Sequence, residues 1–353
     1  MSAKVRILNP GIMTTVQDKG RFGYQSQGIT AAGAMDLQAL RIANKLVGNE
    51  AYQGAFEFSY FAPEFVVDDG PVRLALVGDM KAKITPASGE ESYEVEGRQS
   101  FTMQVGDSFK PGPINSRVYG YLAVQGGIEV PEFLGSQSTY ARSKLGGFEG
   151  RALAQDDVVS VASIANTESQ DLAVPSLPEW NQSDPIRIVL GPQDDYFSDD
   201  QQALFLSQTY SVSRQVDRMG MRLEGEALKH ITGADIASDG IAIGSVQVPA
   251  NGLPIILLAD HQTAGGYSKI ATVITSDLPR LAHMKAGNSF SFRSISVDDA
   301  EEILMVEEKA LMSLFDKIAP MKPDATQIAA KLYKSNLVSG VLDANNPVPE
   351  VEA

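Results

Sequence analysis

Short runs of β-branched or alternating apolar residues recur along most of the chain. Examples are KVRIL near the start, VRLALVG and GYLAVQGGIEV further on, and IRIVLG, SVQVP and ATVITS in the second half. Most runs are bounded by Gly, Pro, Asp or Asn, which is typical of short strands joined by tight turns. The pattern predicts a mainly β fold of the sandwich or barrel type, and it disfavours a doubly wound parallel sheet.

Apolar positions repeat at helical spacing in only a few segments. Residues 34–47 carry one apolar stripe that stops at a Gly-Asn pair. A cap-like Ser198 precedes QQALFLSQ, and the stretch from Ser296 to Ile318 combines a cap-like start, a long apolar repeat and an acidic face that we expect to be solvated. Residues 325–337 predict one more helix. We therefore expect a few peripheral helices and a helical C-terminal extension, which serves either as a lid on the barrel or as a docking surface.

The length of the chain, 353 residues, exceeds the usual size of one domain. Between residues 163 and 184 the sequence turns polar and irregular and contains several prolines, as linkers do. We predict an N-terminal half at 1–165, a linker at 166–185, a C-terminal half at 186–295, and a helical extension with a frayed tail at 296–353. Short similar motifs in both halves, such as VQDKG and VDRMG, suggest a shared origin.

The charge balance limits the possible partners. The chain has 44 acidic and 29 basic residues, a formal net charge of −15, which repels phosphate backbones and anionic lipid surfaces. We therefore expect neither nucleic acid nor a membrane as the main partner. A local cluster of arginines or backbone amides could still hold an anionic substrate against the net field.

Residue usage excludes several kinds of chemistry. The sequence has no cysteine, so disulfides, thiolate nucleophiles and cysteine-based metal sites are excluded. Its three histidines lie far apart and form no HxxxH or HExxH pair, so we expect no metal site. The N-terminus lacks an apolar signal core, and the longest apolar run, IILLA, is too short to span a bilayer. The simplest expected compartment is the cytoplasm.

Five segments combine glycine with polar groups: VQDKGRFGYQ, QGGIEVP running into LGSQSTYAR, LGGFEGR, VDRMGMRL and ADHQTAGGYSK. Each could present backbone amides to a ligand, and each could equally be a β-bulge or a hairpin turn.

Asp36 could be a catalytic carboxylate or a charge favoured by the helix dipole, and His261 could be a general acid or base or a structural residue. No Walker A or GxSxG motif occurs, and Lys81 and Lys83 lack the context of a biotinylated lysine, so we expect no covalently bound biotin.

In their order along the chain, these segments resemble a known family. From Lys4 to Phe292, LNPGIMTTVQDKGRFGYQSQGITAAGAMD, LAVQGGIEVPEFLGSQST, LGGFEGR, DRMGMRLEG, SVQVPANGLPIILLAD and QTAGGY are similar to the family that contains the C subunit of 5-oxoprolinase. That family also includes a kinase-inhibitor antagonist, allophanate hydrolase subunit 2 and the carboxyltransferase region of urea carboxylase. The resemblance implies two cyclophilin-like β-barrel halves.

The resemblance also implies an activity and partners. Together with the A and B subunits of 5-oxoprolinase, the chain would hydrolyse 5-oxo-L-proline to L-glutamate, with ATP and Mg²⁺ used at the level of the complex. It leaves open which subunit binds ATP. Two alternatives remain open: a biotin-dependent carboxyltransferase acting on urea or a related amide, and a non-catalytic binding protein that antagonises a kinase inhibitor.

Positions that match the family's motifs are candidate site residues. The candidate catalytic residues are Asp18, Arg21, Asp36 and Arg218. The candidate substrate-binding residues are Gln17, Tyr24, Gly126, Gly127, Ser136, Asp217, Gln247, Gln262, Thr263, Gly265, Gly266 and Tyr267.

The resemblance suggests one cleft between two walls. Gln17, Asp18, Arg21 and Asp36 would form the first wall, and Asp217, Arg218 and the segment 262–267 would form the second. An arginine could fix a carboxylate or phosphate, and an aspartate could orient magnesium or accept a proton. No resident metal is expected.

Overall fold

The computed structural model describes residues 2–164, 170–181 and 183–321. Nearly all of them belong to one compact unit, Met1–Ala319. A second unit, Pro320–Ala353, has only its first two residues in the described part of the chain. The helix predicted at 325–337 and the frayed tail therefore lie outside the described residues.

The first sheet is built mainly from ten strands between residues 2 and 173. They are β1 (Ser2–Asn9), β2 (Ile12–Gln17), β3 (Ala55–Ser59), β4 (Glu64–Asp69), β5 (Val72–Thr85), β6 (Tyr93–Met103), β7 (Ser108–Pro111), β8 (Tyr119–Val124), β9 (Val158–Ala162) and β10 (Leu172–Ala173). The main path runs β2-β3-β8-β5-β7-β4-β1-β9 through antiparallel pairs. The long β5 pairs with β6, β7 and β8, and the sheet curls around its own core.

The second sheet has nine strands among the described residues, and its order is β18-β12-β13-β16-β15-β17-β11-β19 with β14 beside β17. The strands are β11 (Ile186–Leu190), β12 (Tyr210–Val216), β13 (Gly220–Glu224), β14 (Asp235–Gly240), β15 (Ser245–Val248), β16 (Ile255–Leu257), β17 (Ala264–Val273), β18 (Ser289–Phe290) and β19 (Phe292–Ser294). Only β11 and β19 pair in parallel within this described sheet. A further two-residue strand, β20, spans Ala319–Pro320.

Alternation along the strands explains why the sheets curl around apolar cores. In β1, Ala3, Val5 and Ile7 are buried while the residues between them point outward. The mainly β prediction, with curled, barrel-like sheets and peripheral helices, is confirmed. The sheets fall within residues 2–173 and 186–294 apart from β20, and the exact boundaries of the predicted halves stay a prediction.

Four α-helices occur in the described residues: α1 (Leu37–Leu46), α2 (Asp199–Ser207), α3 (Leu278–Ala282) and α4 (Val297–Phe315). A capping box between Ser296 and Asp299 starts α4, as the sequence suggested. Ser198 occupies the N-cap of α2, but its side chain makes no capping hydrogen bond. The short α3 was not predicted. No described helix is long and apolar enough to cross a membrane.

The C-terminal helix α4 packs beside α1 instead of standing alone. Its Leu311 is buried in the cluster that also holds Leu40 and Leu46 of α1. Glu301, Glu302 and Glu308 of its acidic face are exposed, as expected, and Glu308 also forms a two-point ion pair with Arg41 at 2.6 Å. This contact fixes α4 against the first helix.

Candidate functional site

A cleft of about 570 Å³ opens on the second sheet beside β12 and β13. We call it the arginine cleft. Its polar lining includes three arginines, one aspartate, three glutamines and one tyrosine: Arg142, Arg214, Arg222, Asp217, Gln215, Gln247, Gln262 and Tyr267.

Strand alternation and one loop from the first half of the chain place the arginines. In β13, Met221 and Leu223 point into the core, so Arg222 between them faces outward. Arg214 lies on the exposed part of β12. Arg142 comes from the short 3-10 turn Ala141–Ser143. This turn follows Thr139, whose N–H donates to the Val16 carbonyl of β2. The cleft is therefore lined by residues from both halves of the chain.

The cleft is locally positive although the chain is acidic. None of the three guanidinium groups of Arg142, Arg214 and Arg222 has a hydrogen bond or ion pair with another described residue. Asp217, the one acidic lining residue, accepts hydrogen bonds at Oδ1 from the backbone N–H groups of Met219 (2.8 Å) and Gly220 (3.2 Å). Its other carboxylate oxygen has no described partner. Within the described part of the chain, an anionic ligand would thus meet three unpaired cations and one carboxylate.

Gln247 and Gln262 form a pair of carboxamides at one side of the cleft. Gln262 Nε2 donates to Gln247 Oε1 at 3.4 Å, and Gln247 is only 2% exposed. The Nε2 of Gln247 is buried without a partner among the described residues. A Cβ at Gly265 would lie 2.8 Å from this nitrogen, so glycine keeps the space beside it open. Because a buried donor without a partner costs about 1–3 kcal/mol, this nitrogen is suited to a ligand carbonyl.

A smaller pocket of about 250 Å³ adjoins the arginine cleft. We call it the methionine pocket, because Met13, Met35, Met219 and Met284 line it. Tyr60, Tyr119, Arg218 and Asp260 also lie in its wall, and it shares Arg142, Val216, Asp217 and Met219 with the cleft. The two cavities therefore meet at the same loops.

A buried ion-pair network supports the wall of the methionine pocket. Arg218 contacts Asp260 through two hydrogen bonds of 2.9 Å, pairs with Glu57 of β3, and donates to the Gly33 carbonyl at 2.6 Å. Burial alone would lower the pKa of Arg218, but the charges of Asp260 and Glu57 outweigh burial and raise it. Tyr121 donates to Glu57 at 2.6 Å. The network joins the two sheets, so Arg218 holds the site in place.

Asp36 joins the start of α1 to the end of α3. It caps α1 by accepting from the Ala39 N–H at 2.9 Å, and His283 Nε2 lies 2.9 Å from its second oxygen. Because His283 Nδ1 accepts from the Val118 and Tyr119 N–H groups, Nε2 carries the proton that Asp36 receives. Burial would raise the pKa of Asp36, but the hydrogen bond from His283 and the nearby charges lower it on balance.

The variant Asp36→Asn should have a weaker acid dependence of stability than the wild type. A lowered pKa in the folded state stabilises the fold above the unfolded pKa of about 3.9, and that contribution disappears as pH falls through the folded pKa. We expect the variant to lose roughly 1–3 kcal/mol at pH 7, where the charged hydrogen bond is intact. Urea denaturation of the wild type and the variant at pH 7 and at pH 3 measures their free energies of unfolding. A stability gap that stays constant between these pH values would contradict this role.

Asp18 is buried in a set of donors at the end of β2. Its Oδ1 accepts from the Gly20 N–H (2.7 Å) and from the hydroxyls of Ser136 (2.7 Å) and Ser138 (2.5 Å), and its Oδ2 accepts from the Gln137 N–H (2.7 Å). The contacts tie the first glycine-rich turn to the loop at 136–138.

Replacing Asp18 with asparagine should therefore destabilise the fold. Each hydrogen bond of the Asp18 carboxylate comes from a donor. The side-chain NH₂ group of asparagine is itself a donor, so it would lie against at least one of these donors without forming a hydrogen bond. We expect a loss of roughly 1–3 kcal/mol in the free energy of unfolding, measured by urea denaturation. Asp69→Asn is the matched control, because Asp69 lies exposed on β4. Equal stability of the two variants would contradict a structural role for Asp18.

Two more members of the expected first wall are also buried. Arg21 is 1% exposed and donates through Nη2 to the Ser138 carbonyl, while burial lowers its pKa. Gln17 donates to Thr15 Oγ1 (2.9 Å) and to the Thr139 carbonyl (3.1 Å). The expectation that Gln17, Asp18, Arg21 and Asp36 form a wall of the cleft is therefore corrected: all four are buried, and none of them lines the cleft.

The structure brings together four of the candidate residues: three from the expected second wall, and Gln247. Asp217, Gln247, Gln262 and Tyr267 all line the arginine cleft, and Gly265 lies against Gln247. Arg218 lines the methionine pocket instead of the cleft.

The remaining candidates have local contacts elsewhere. Gly126 lies in a turn that Asn49 and Gln53 hold, with the Asn49 Oδ1 at 2.8 Å from the Gly126 N–H, and Gly127 lies beside it. The Thr263 carbonyl accepts from the Ile241 N–H at 3.1 Å, and Gly266 is part of β17. The carbonyl of Tyr24 closes the short turn at Gln25–Gln27, and Ser136 binds Asp18. None of these residues lines the arginine cleft.

Sequence reasoning missed the three arginines. Arg222 lies within the family motif DRMGMRLEG, and Arg142 ends the glycine-rich segment LGSQSTYAR, but neither was chosen as a candidate. Arg214 lies in a strand outside these segments, and the alternation around Arg222 signals that it faces outward. His261, a candidate acid or base by its sequence context, is buried, and burial lowers its pKa. The described residues contain no group of three or more His, Cys, Asp or Glu that could hold a metal ion.

Comparison with known proteins places this geometry in a family. The model of the family described as carboxyltransferase domain, subdomain A and B, matches residues 27–294. The chain is 36% identical to the C subunit of 5-oxoprolinase from Escherichia coli K12 over 299 residues, which cover 84% of this chain and 93% of that protein. It is 34% identical to the corresponding 5-oxoprolinase subunit of Haemophilus influenzae, covering 85% and 94% of the two chains.

A solved structure agrees with this fold. The K. lactis urea amidolyase is 25% identical and superposes with a TM-score of 0.78 over 91% of this chain. The chain spans about a fifth of that protein, 21% of its length. On the family match and the near full-length similarity together, this chain belongs to the carboxyltransferase-domain family with subdomains A and B, which includes the C subunit of 5-oxoprolinase.

Proposed function

We propose that this chain is the C subunit of an ATP-dependent 5-oxoprolinase in the cytoplasm. Together with the A and B subunits it hydrolyses 5-oxo-L-proline to L-glutamate, using ATP and Mg²⁺. The observation that carries the proposal is the 36% identity to a relative named as the C subunit of 5-oxoprolinase over 93% of that relative's length.

The chemistry of the arginine cleft fits this substrate. 5-Oxo-L-proline has a ring amide and a carboxylate. The unpartnered Gln247 Nε2 is suited to donate to the ring carbonyl, and one of the unpaired arginines is suited to fix the carboxylate by two hydrogen bonds. Both groups can be held within one cavity.

Opening the lactam requires its ring carbon to become more electrophilic, so that water can add and the ring C–N bond can break. Transfer of the γ-phosphoryl group of ATP to the amide oxygen would do this with release of ADP, and the acyl phosphate left by C–N cleavage would be hydrolysed by a second water to glutamate and inorganic phosphate. The remaining arginines would stabilise the negative charge that develops around the phosphate. The free carboxylate oxygen of Asp217 fits magnesium, which usually takes one or two protein carboxylates beside phosphate oxygens. The cleft thus fits all the charged groups of the reaction.

A carboxyltransferase acting on urea or a related amide is the second candidate. The description of the matching family and the likeness to the K. lactis urea amidolyase favour it. This reaction needs a biotin carrier, which would come from another chain or domain. The same carboxamide pair would then bind the amide of urea.

Glutamate release tests the two candidates. This protein is mixed with the A and B subunits from its own genome, 5-oxo-L-proline, ATP and Mg²⁺, and each component is omitted in turn. Glutamate that forms only in the full mixture, and still forms with avidin added to block biotin, supports the 5-oxoprolinase. A stable complex that forms no glutamate rejects it. Biotin-dependent carboxylation of urea would then support the second candidate, and its absence would favour a regulatory binding protein.

A further inference from the structure

We propose that this subunit itself binds ATP, with the adenine ring in the methionine pocket and the triphosphate along the arginine cleft. The inference rests on the proposed function, because that function consumes ATP and leaves open which subunit holds it. It assigns the nucleotide to residues of this chain and gives the methionine pocket a ligand.

The methionine pocket has the size and lining for a flat aromatic base. At about 250 Å³ it is too small for a whole nucleotide, since small-molecule sites usually measure about 300–1,000 Å³. Its thioether side chains adapt to a ring face, and the rings of Tyr60 and Tyr119 in its wall can stack on one. It has room for a base.

The backbone at the mouth of this pocket is unusual. Met13 has a φ of 50° and Tyr60 a φ of 58°, in the left-handed region that bulky residues rarely adopt. The two residues lie on the neighbouring strands β2 and β3 or directly after them. They are 51% and 37% exposed. Bulky exposed residues held in a costly conformation are typical of ligand-binding sites.

The position of Arg142 connects the base to the phosphates. Arg142 lines both cavities, so a ribose between them would bring the first phosphate to its guanidinium group. Arg214 and Arg222 lie further along the cleft and have no partner among the described residues. Three such groups can pair with a triphosphate through two-point hydrogen bonds. Asp217, shared by both cavities, can contribute a magnesium ligand.

A larger cavity of the described residues lacks these properties. It measures about 650 Å³ and contains Arg117, Arg98 and Lys81. Each of these cations already has an acidic partner: Asp36, Glu96 and Glu94. A triphosphate there would have to displace existing ion pairs, so the arginine cleft is the better site for it.

The shared cavity has a consequence for catalysis. Gln247 and Gln262, the groups suited to the lactam amide, line the same cleft as the arginines. The γ-phosphate and the amide oxygen would then lie in one shared space, as phosphoryl transfer requires.

Equilibrium dialysis with labelled ATP and Mg²⁺ tests the inference. Binding is measured for the full chain alone and in the mixture with the A and B subunits. We expect ATP to bind, and Arg214→Ala and Arg222→Ala each to weaken binding about tenfold, which corresponds to about 1.4 kcal/mol. Arg293→Ala is the matched control, since Arg293 is exposed on β19 of the same sheet and lines neither cavity. It should leave binding unchanged.

A second variant distinguishes the contribution of the base to ATP binding from that of the phosphates. Ala141 is exposed at the wall of the methionine pocket, so Ala141→Phe should block the pocket without disturbing the core. It should weaken ATP binding and leave the binding of inorganic tripolyphosphate unchanged. Equal affinity of ATP and tripolyphosphate in the wild type would overturn the assignment of the base to this pocket.

Two further outcomes would overturn the inference as a whole. One is that no ATP binds to the chain or to the mixture, and the other is that ATP binds to the mixture with the same affinity in the Arg214→Ala and Arg222→Ala variants. Glutamate release alongside either outcome would leave the proposed function standing and reject the inference alone. ATP binding as described, without glutamate release, would reject the proposed function and keep the nucleotide site.

Discussion

Replacing Arg218 with alanine should lower the free energy of unfolding by about 3–5 kcal/mol, because it leaves two buried carboxylates without their cation. Glu57 is 1% exposed and Asp260 is 8% exposed, so water cannot replace the guanidinium group. The Gly33 carbonyl would lose its donor as well. Urea denaturation at pH 7 measures the loss.

The matched control for this prediction is Arg222→Ala. Arg222 is exposed on β13, a few residues further along the chain, and has no described partner, so its loss should change stability by at most about 0.5 kcal/mol. A similar small change in both variants would mean that the Glu57–Arg218–Asp260 network contributes little to holding the two sheets together.

Local patterns were enough to predict much of the fold. The run KVRIL predicted a strand, and its alternation agrees with the burial of Val5 and Ile7, because side chains alternate between the two faces of a strand. The capping signal at Ser296 marked the start of α4. Each of these signals lies within one element, where spacing alone decides which side chains are buried.

Contacts between distant residues could not be predicted in the same way. Glu57 lies in the buried strand AFEFS, and its cation, Arg218, is 161 positions away. Asp36 had two interpretations in the sequence, and the structure makes it a helix cap that also binds His283, 247 positions away. No local pattern encodes such a pairing, because the pairing depends on how the two sheets pack.

The candidate site was partly predictable for a related reason. The family resemblance indicated Asp217, Gln247, Gln262 and Tyr267, which the fold brings to one cleft. It also indicated Asp18 and Arg21, whose charged groups are buried under neighbouring loops. A motif identifies residues that matter to the family, but burial decides whether a charged side chain meets a ligand or holds a loop.

Replacing Gln247 with leucine should reduce glutamate formation by the three-subunit mixture by about 100- to 1,000-fold, the usual effect of removing one donor to a developing oxyanion. The reason is that Gln247 Nε2 is a buried donor without a described protein partner at the side of the cleft suited to the lactam carbonyl. Leucine has a similar volume, so the cavity keeps its shape. Steady-state assays should place most of the loss in kcat, because the contact strengthens as charge develops on the oxygen.

Gln99→Leu is the control that separates this chemistry from packing. Gln99 is also a buried strand glutamine, 6% exposed, but it lies in β6 of the first sheet and accepts from the Glu96 N–H at 3.2 Å. Both variants exchange a buried carboxamide for an apolar group, so both should lose some stability, whereas only Gln247→Leu should lose activity. If the two variants lost activity in proportion to their loss of stability, Gln247 would be a packing residue and the lactam carbonyl would have to bind elsewhere.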